Sequence, residues 1–527
     1  MRVNWMLFVS LGMFFSTLCW SQNCVVEISR MDIHRGGVGA PETGPTEDIN
    51  DNKYITWFHS FGTVVDDHCD PRGNHTVTYD TPLDNMCSTC GANAGYQLKI
   101  YSSQDPRVEK FDKPIVIVPG FDPDFGSTSS GNTFDNFKAM LSFVTDETKP
   151  GNVQVVGQNF LKELYDLGYD IIFIKFFNPN IDINVNAKVL EQAMLWVNSK
   201  SSTRSGDEPA ILGASMGGLI ARQMLQNAGV VQGSVGGPIK CGLYISFDVP
   251  NRGAEIPMSI QAMVRYLQSQ NSDASILNIN LASTSAGQML LAQRTNSITS
   301  YAYHSITDYE AVGTVHGDFM RNINSPANIA AIKNIKALNN TRAIRTVAIA
   351  SGSKNGSAAL RGLPAGANYL SEDYATLYYR LGFSNANVAT TLFTGNAADY
   401  SQWKYTFTEP AFLENLPGGN RNSYRQLNDI LVRAGYGARN WTGQYNGHCF
   451  MPTASALGLT GIDINTPQGW LSSTGATMFD ETYSAELNQD HVAITLQNKE
   501  WILSALRRYG PHANTLVSTV ISPLLLQ

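Results

Sequence analysis

Short apolar runs alternate with amphipathic helical patterns along most of the chain after residue 105. Apolar residues recur at helical spacing in residues 159–167 and 493–508. Four runs rich in β-branched and aromatic residues have the length of buried strands: 113–118, 169–177, 241–247 and 343–351. Strands that alternate with helices predict an α/β fold, in which helices cover both faces of a mostly parallel sheet.

One of these alternations contains the sequence Gly213-Ala214-Ser215-Met216-Gly217. An apolar run ends in this Gly-x-Ser-x-Gly pattern, and a helical pattern follows it. In that context the serine lies on a strained elbow between strand and helix, where it can act as a nucleophile. Gly213 and Gly217 belong to the elbow because a side chain at either position would crowd the turn. We therefore predict Ser215 as a nucleophile.

A doubly wound nucleotide-binding fold would show a similar alternation of strands and helices. That fold needs a glycine-rich phosphate loop after its first parallel strand. The residues at this place are Pro119-Gly120-Phe121-Asp122-Pro123, which do not form such a loop. The sequence therefore disfavours nucleotide binding.

A serine nucleophile needs a base, and the base needs a third group to orient it. On this type of sheet an acid and then a histidine follow the serine along the chain. The histidines after Ser215 are His304, His316, His448, His491 and His512. His491 precedes the predicted last helix, and a loop histidine at that place can reach the serine over the sheet edge. We therefore predict His491 as the base.

The third group, an acid, has a weaker signal in the sequence. Its commonest place is the loop after a late strand, here residues 351–356, which contain no carboxylate. Asp248 directly follows the preceding predicted strand, and catalytic groups collect at the carboxyl ends of parallel strands. We predict that Asp248 orients His491, although this residue could instead cap the turn before Pro250. The alternative acids are Asp308, Asp318 and Asp463.

A serine that attacks a carbonyl also needs donors for the oxyanion that forms, and backbone N–H groups supply them on this type of sheet. One donor is the N–H of Met216, the residue after the nucleophile. The other comes from the loop after the run at 113–118. We predict Phe121 there, because Pro119 has no N–H to donate.

Together these segments resemble the α/β-hydrolase superfamily, and within it the secreted lipases and esterases. The resemblance is carried by the loop at 118–121, the elbow at 213–218, the stretch at 248–254 and the residues at 488–491. More narrowly, residues 168–198, 246–257 and 450–457 resemble secreted bacterial hydrolases, many of them from the Bacteroidetes. The resemblance covers roughly residues 105–510. It implies ester hydrolysis through an acyl-enzyme, without a cofactor.

The N-terminus has the pattern of an export signal. It carries one early positive charge, Arg2, then an apolar stretch from Met6, and ends in Cys19-Trp20-Ser21. This predicts a signal peptide at residues 1–21 that is cleaved after Ser21. A membrane anchor is disfavoured because the run is short for a bilayer span. We therefore expect a secreted or periplasmic protein with no integral membrane segment after cleavage.

Export permits disulfides, and six cysteines remain after the predicted cleavage. They are Cys24, Cys69, Cys87, Cys90, Cys241 and Cys449. We expect disulfides among the first four. A zinc site built from His68, Cys69, Cys87 and Cys90 is disfavoured, because the adjacent pair cannot easily face one ion. Cys241 and Cys449 either pair with each other or are buried free thiols.

The chain of 527 residues is longer than one simple domain. We expect a β-rich N-terminal region with cysteines at 22–105, an α/β-hydrolase domain at 106–510 and a C-terminal tail at 511–527. Two insertions interrupt the predicted domain, a helical cap at 255–340 and a second insertion at 357–485. The cap is expected to cover Ser215 and to shape an apolar acyl pocket.

The net charge of −7 gives no basic footprint for nucleic acid, and the sequence carries no signal for an oligomeric state. The function we predict is a secreted serine carboxylester hydrolase, an esterase or lipase that acts on an ester or lipid substrate. Two alternatives remain. One is an acyltransferase or amidase with the same residues, and the other is a non-catalytic exported binding protein on a hydrolase scaffold.

Overall fold

The computed structural model describes residues 31–35, 53–60, 96–102, 111–121, 137, 140–146, 148, 153–176, 178–201, 208–232, 239–256, 285–290, 294–295, 301–302, 315–335, 342–353, 373–380, 387–393, 417–421, 440–443, 448–462 and 476–511. The predicted signal peptide and the first four of the six cysteines lie outside these residues.

The strands of the described residues are named in chain order. They are β1 Met31–Arg35, β2 Lys53–Ser60, β3 Tyr96–Ser102, β4 Pro114–Val118, β5 Phe143–Asp146, β6 Val153–Asn159, β7 Asp170–Phe176, β8 Ala210–Ala214, β9 Leu243–Phe247, β10 Arg294–Thr295, β11 Tyr301–Ala302, β12 Arg345–Ser353, β13 Asp373–Arg380, β14 Asn387–Phe393, β15 Gly418–Arg421, β16 Asn440–Gly443, β17 His448–Pro452, β18 Glu481–Ala485 and β19 Ile494–Thr495.

The helices of the same residues are α1 Phe160–Asp166, α2 Ile183–Lys200, α3 Met216–Gln232, α4 Ser285–Leu290, α5 Val315–Ile323, α6 Pro326–Ile332, α7 Thr453–Ala456 and α8 Leu496–Tyr509. Among the described residues, no helix is both long enough and apolar enough to cross a bilayer.

The central sheet has the strand order β1-β2-β3-β7-β4-β8-β9-β12-β18. All neighbours from β7 to β18 are parallel. Strands β1, β2 and β3 extend the sheet in antiparallel register and join it at β7. Helices α2 and α3 pack on one face, whereas α1 and α8 pack on the other. This mostly parallel sheet between helices confirms the predicted α/β-hydrolase fold.

The inner parallel strands are buried on both faces, which explains why their sequences are continuous apolar runs without alternation. Every residue of β4, β8 and β9 is buried. On one face Leu190 of α2 and Leu219 of α3 belong to a single apolar core. On the other face Phe160 of α1 and Leu506 of α8 belong to a second core. A fully buried side chain of this size stabilises the fold by about 2 kcal/mol.

The predicted strands and helices agree with the structure to within three residues at their ends. Local capping sets the true ends of the helices. Asn159 begins α1 by accepting a hydrogen bond from the backbone N of Lys162. Thr495 and Asn498 form a capping box that begins α8, so the helix starts later than the predicted residue 493.

Strand β18 lies inside the range predicted as the second insertion, 357–485. It pairs in parallel with β12 and forms the edge of the central sheet. The main sheet therefore resumes at Glu481. Its five residues are half-buried or exposed except for Ala485, so they lack the apolar run that marks the inner strands.

Other short strands form separate sheets. β13 lies between β14 and β16 in antiparallel register. β15 pairs with β17, and β5 lies between β6 and β19. Cys449 on β17 and Cys241 beside β9 are both buried free thiols, so the two cysteines are not paired with each other. Residues 257–284 of the predicted helical cap lie outside the described residues.

A buried polar cluster joins the predicted cap to the core. The side chain of Asn251 donates to Ala456 O at 2.9 Å and to Ser246 Oγ at 3.2 Å. Its Oδ1 accepts from Arg222 Nη1 at 3.2 Å. Arg222 also donates to Asn324 Oδ1 at 2.8 Å, and burial lowers the pKa of its guanidinium to about 10. Because Arg222 and Asn251 are buried away from water, each depends on such partners for its hydrogen bonds.

We predict that Asn251→Ala lowers the free energy of unfolding by about 3 kcal/mol, because it leaves the buried Arg222 guanidinium without one acceptor. Urea denaturation measures this change. The matched control is Asn328→Ala, whose side chain bonds, among the described residues, to Asn322 near the surface. The control should cost less than about 1 kcal/mol. Equal losses for the two variants would show that the cluster has no special role.

Candidate active site

Ser215 occupies the single residue between β8 and α3. Its φ is 51°, a left-handed backbone that is uncommon for residues other than glycine. The backbone N of Ser215 donates to Phe247 O at 3.0 Å, and Ser215 O accepts from Gly218 N at 3.0 Å. The neighbouring strand and the first turn of the helix thus hold the serine in a strained conformation.

The glycines of the elbow have no space for a side chain. A Cβ on Gly213 would lie 2.4 Å from the Cα of Gly218, and one on Gly217 would lie 2.2 Å from Val118 O. The second contact shows that the loop after β4 lies directly on the elbow. Gly120 in that loop is also tight, since its Cβ would be 2.9 Å from the Cβ of Ser215 and 3.3 Å from Ser215 Oγ.

The predicted oxyanion donors flank this contact. Met216 is the first residue of α3 and is buried, and Phe121 is half-buried beside the apolar core. The first N–H groups of a helix have no partner within the helix and carry partial positive charge. The structure therefore places one predicted donor at the serine and the other next to Gly120.

Asp248 directly follows β9 and is fully buried. Its φ of 49° is the second left-handed backbone at this edge of the sheet. Oδ1 accepts from the backbone N of Ser351 at 2.9 Å, and Oδ2 accepts from His491 Nδ1 at 2.7 Å. The buried carboxylate therefore orients the imidazole.

His491 lies in the loop between β18 and β19, and its side chain is 10% exposed. The backbone N of His491 donates to Asn420 O at 2.8 Å. The next residue, Val492, has a φ of 62°, a genuine outlier for a β-branched side chain. No described residue hydrogen-bonds to Nε2 of His491. The loop thus fixes the ring through Nδ1 and leaves Nε2 available.

Burial lowers the pKa of His491 below its usual value of 6.5. The hydrogen bond and charge of Asp248 oppose this effect, whereas the nearby charge of Arg421 adds to it. The imidazole is therefore neutral at pH 7. With Nδ1–H donated to the carboxylate, the lone pair lies on Nε2, which can accept a proton.

The other predicted candidates lie elsewhere or outside the described residues. His316 Nδ1 bonds to Met289 O at 2.7 Å, and Asp318 pairs with Arg321 on the surface of α5. His448 lies on β17, opposite Arg421. His304, Asp308, Asp463 and His512 are not among the described residues. Of the predicted bases and acids, the structure brings His491 and Asp248 together.

Sequence reasoning missed several residues around this pair. The ring of Phe450 lies 4.7 Å from that of His491, and Arg421 lies over the ring of Phe450. A Cβ on Gly419 would lie 2.3 Å from Asp248 Oδ2, so β15 packs against the acid. In the sequence, only the resemblance drew attention to residues 450–457. Nothing in the sequence indicated β15, because its role depends on long-range packing.

No group of three or more potential metal ligands occurs among the described residues. The disfavoured zinc set at His68, Cys69, Cys87 and Cys90 lies outside them. Near the candidate site, burial raises the pKa of the Cys449 thiol well above its usual value, and the carboxylates of Glu255 and Asp248 act in the same direction. This thiol is therefore protonated and is a poor metal ligand or nucleophile.

No family model matches the sequence, and no curated protein is detectably similar to it. Several solved structures of lipases and esterases resemble part of the chain. A Bacillus licheniformis lipase in its propeptide form is 14% identical, over 47% of this chain and 37% of that chain, with a TM-score of 0.21. Esterase B from Lactobacillus rhamnosis is 11% identical, over 57% of this chain and 66% of that chain, with a TM-score of 0.22.

An α/β-hydrolase superfamily protein from Enterococcus faecalis is 13% identical, over 49% of this chain and 75% of that chain, with a TM-score of 0.22. The chain thus spans little more than a third of the Bacillus lipase and about two thirds of the esterase. Because these TM-scores are low, the assignment of the fold depends on the strand order and the elbow geometry described above.

We predict that Asp248→Asn lowers the pKa of His491 further, because it removes the charge that opposes the effect of burial. Nuclear magnetic resonance titration of the labelled imidazoles measures this pKa, and His491→Gln assigns the signal. The signal of His316 is the internal control, since that ring bonds to a backbone carbonyl. An unchanged or higher pKa would contradict the coupling between Asp248 and His491.

Proposed function

We propose that the protein is a secreted serine carboxylester hydrolase, an esterase or lipase that works through an acyl-enzyme. One observation carries this proposal. His491 donates Nδ1–H to the buried carboxylate of Asp248 at 2.7 Å, at the sheet edge where the backbone of Ser215 is strained. A strained serine, a neutral imidazole and a buried carboxylate are the groups that acyl transfer requires.

Each residue has a defined role in the proposed reaction. Ser215 Oγ attacks the ester carbonyl, and Nε2 of His491 takes its proton. Asp248 keeps the imidazole in the correct tautomer and stabilises the imidazolium that forms. His491 then gives the proton to the departing alcohol. Water then attacks the acyl carbonyl while His491 takes its proton. The bond between the acyl group and Ser215 Oγ breaks, His491 returns the proton to Oγ, and the carboxylic acid leaves.

The oxyanion of each tetrahedral intermediate is assigned to the backbone N–H groups of Met216 and Phe121. Two observations support this assignment. Met216 begins helix α3, where the partial positive charge of the helix end lies. The close approach of Gly120 to Ser215 holds the loop that contains Phe121 against the nucleophile. Loss of one such donor typically costs two to three orders of magnitude in rate, about 3–4 kcal/mol.

We predict that the protein hydrolyses nitrophenyl esters and that Ser215→Ala abolishes turnover, since the nucleophile is lost. Asp248→Asn should lower kcat by about 10⁴-fold, because the imidazole then takes the wrong tautomer. Steady-state kinetics over acyl chains from short to long measures both effects. The chain length with the highest kcat/KM separates an esterase from a lipase.

Matched controls separate catalysis from general damage. Ser199→Ala removes a hydroxyl from the exposed end of α2, and Asp318→Asn removes a carboxylate from the surface of α5. Both should retain normal turnover. If the folded protein hydrolyses none of the esters, the hydrolase proposal fails. Turnover only with an added alcohol or with an amide would favour the acyltransferase or amidase alternative, and no turnover at all would favour a binding protein.

We also propose export, in keeping with the resemblance to secreted bacterial hydrolases. The support is the charged and apolar pattern of residues 1–20. When the full chain is expressed in a bacterial host, the mature protein should begin at Gln22. Mass spectrometry of the N-terminal peptide and cell fractionation measure this. A mature protein that retains Met1 and stays in the cytoplasm would refute export.

A further inference from the structure

Phe450 lies on β17 with its ring against His491. The two ring centroids are 4.7 Å apart, and the planes meet at 69°, an edge-to-face geometry. Aromatic pairs at this distance and angle attract each other beyond the area that they bury. Phe450 is almost fully buried, and its backbone O accepts from Glu255 N at 2.9 Å. The phenyl ring is therefore fixed and restricts the rotation of the imidazole.

Arg421 lies over the same phenyl ring, with its guanidinium carbon 4.8 Å from the centroid. A guanidinium on an aromatic face is a favourable cation–π arrangement. Arg421 ends β15, which is antiparallel to the strand of Phe450. Arg421, Phe450 and His491 thus form a contiguous cluster, in which the guanidinium lies over the phenyl ring and the phenyl ring meets the imidazole edge-to-face.

Strand β15 also contacts the rest of the candidate site through its backbone. Asn420 O accepts from His491 N, and Asn420 N donates to Gln489 O, each at 2.8 Å. Gly418 N donates to Asn488 Oδ1 at 3.0 Å. Because β15 is hydrogen-bonded to the residues on both sides of Asp490, the cluster of Arg421, Phe450 and His491 is held together with the loop that contains His491.

We propose that Phe450 and Arg421 are positioning residues for His491. The phenyl ring sets the orientation of the imidazole. The guanidinium that lies over the phenyl ring holds that ring in place and keeps a positive charge near the base. This inference rests on the proposed role of His491 as the base. It adds two residues to the site that neither the elbow nor the acid–histidine pair indicates.

Two charged groups act on the imidazole from the elements around it, Asp248 at the end of β9 and Arg421 on β15. Cys449, the neighbour of Phe450, is a neutral buried thiol. The charge of Arg421 disfavours the imidazolium, so its loss should make His491 easier to protonate. The acid limb of the pH profile reports this protonation, because only the neutral imidazole accepts a proton.

The test compares Arg421→Gln, Arg421→Lys and Phe450→Leu with the wild-type protein. Arg421→Gln should move the acid limb of kcat/KM to higher pH by about half a unit, which is the size of pKa shift expected from one partly solvated charge near the imidazole. Arg421→Lys retains the charge, so the acid limb of its kcat/KM profile should lie at the wild-type pH. Phe450→Leu keeps an apolar side chain but removes the ring, and should lower kcat by about tenfold with little change in KM.

Arg345→Gln is the matched control. Arg345 lies over the ring of Tyr509 at 5.2 Å, at the opposite end of β12 from the candidate site. Its loss removes the same kind of pair and should leave the pH profile and kcat unchanged. If Arg345→Gln shifts the profile as much as Arg421→Gln does, the effect comes from net charge alone and the proposal is overturned.

The pKa of His491 from magnetic resonance titration gives a readout that does not depend on turnover. It should rise in Arg421→Gln and return in Arg421→Lys, even if the protein hydrolyses no ester. An unchanged pKa in Arg421→Gln, together with an unchanged kcat in Phe450→Leu, would overturn the positioning role. By contrast, suppose that the pKa of His491 shifts in Arg421→Gln but turnover survives Ser215→Ala. That result would support the positioning role of Arg421 and Phe450 and would refute the proposed serine chemistry.

Discussion

The hydrogen bond between His491 Nδ1 and Asp248 Oδ2 is the interaction on which the candidate site depends. It joins two residues that are 243 positions apart in the chain, and the carboxylate is fully buried. A buried carboxylate is stable only when donors satisfy it, and here the imidazole and the backbone N of Ser351 do so. The same bond orients the ring of His491, so one contact both satisfies the buried carboxylate and positions the imidazole.

Backbone strain is concentrated around this bond. The described non-glycine residues with left-handed φ are Ser215, Asp248 and Val492, and each lies at or beside a predicted catalytic residue. Such conformations cost about 1–3 kcal/mol each and persist only where the surroundings enforce them. The tight glycines of the elbow and the buried strands β8 and β9 supply that enforcement, because neither strand can move without opening the core.

The predicted acid lies at the end of the strand next to the one that usually carries it. The usual place for the acid is at the end of the strand here named β12, and Ser351 is one of the last three residues of that strand. Asp248 follows the adjacent strand β9, and the two places are bonded through Ser351 N. Because parallel neighbours end at the same sheet edge, a carboxylate on either strand can reach the imidazole. Strand β15 then covers the acid, since a side chain at Gly419 would collide with its carboxylate.

Local patterns in the sequence predicted the order of the strands and helices around the elbow at Ser215, and they indicated His491 and Asp248 over the other described candidates. These features follow from local patterns: apolar runs, turn glycines and positions at strand ends. The fold brings together what these patterns do not specify: Ser351 N donates to Asp248, β18 forms the edge of the sheet, and Phe450, under Arg421, packs edge-to-face against His491. Those contacts join distant segments through packing and charge, and no local pattern of residues encodes which segments meet.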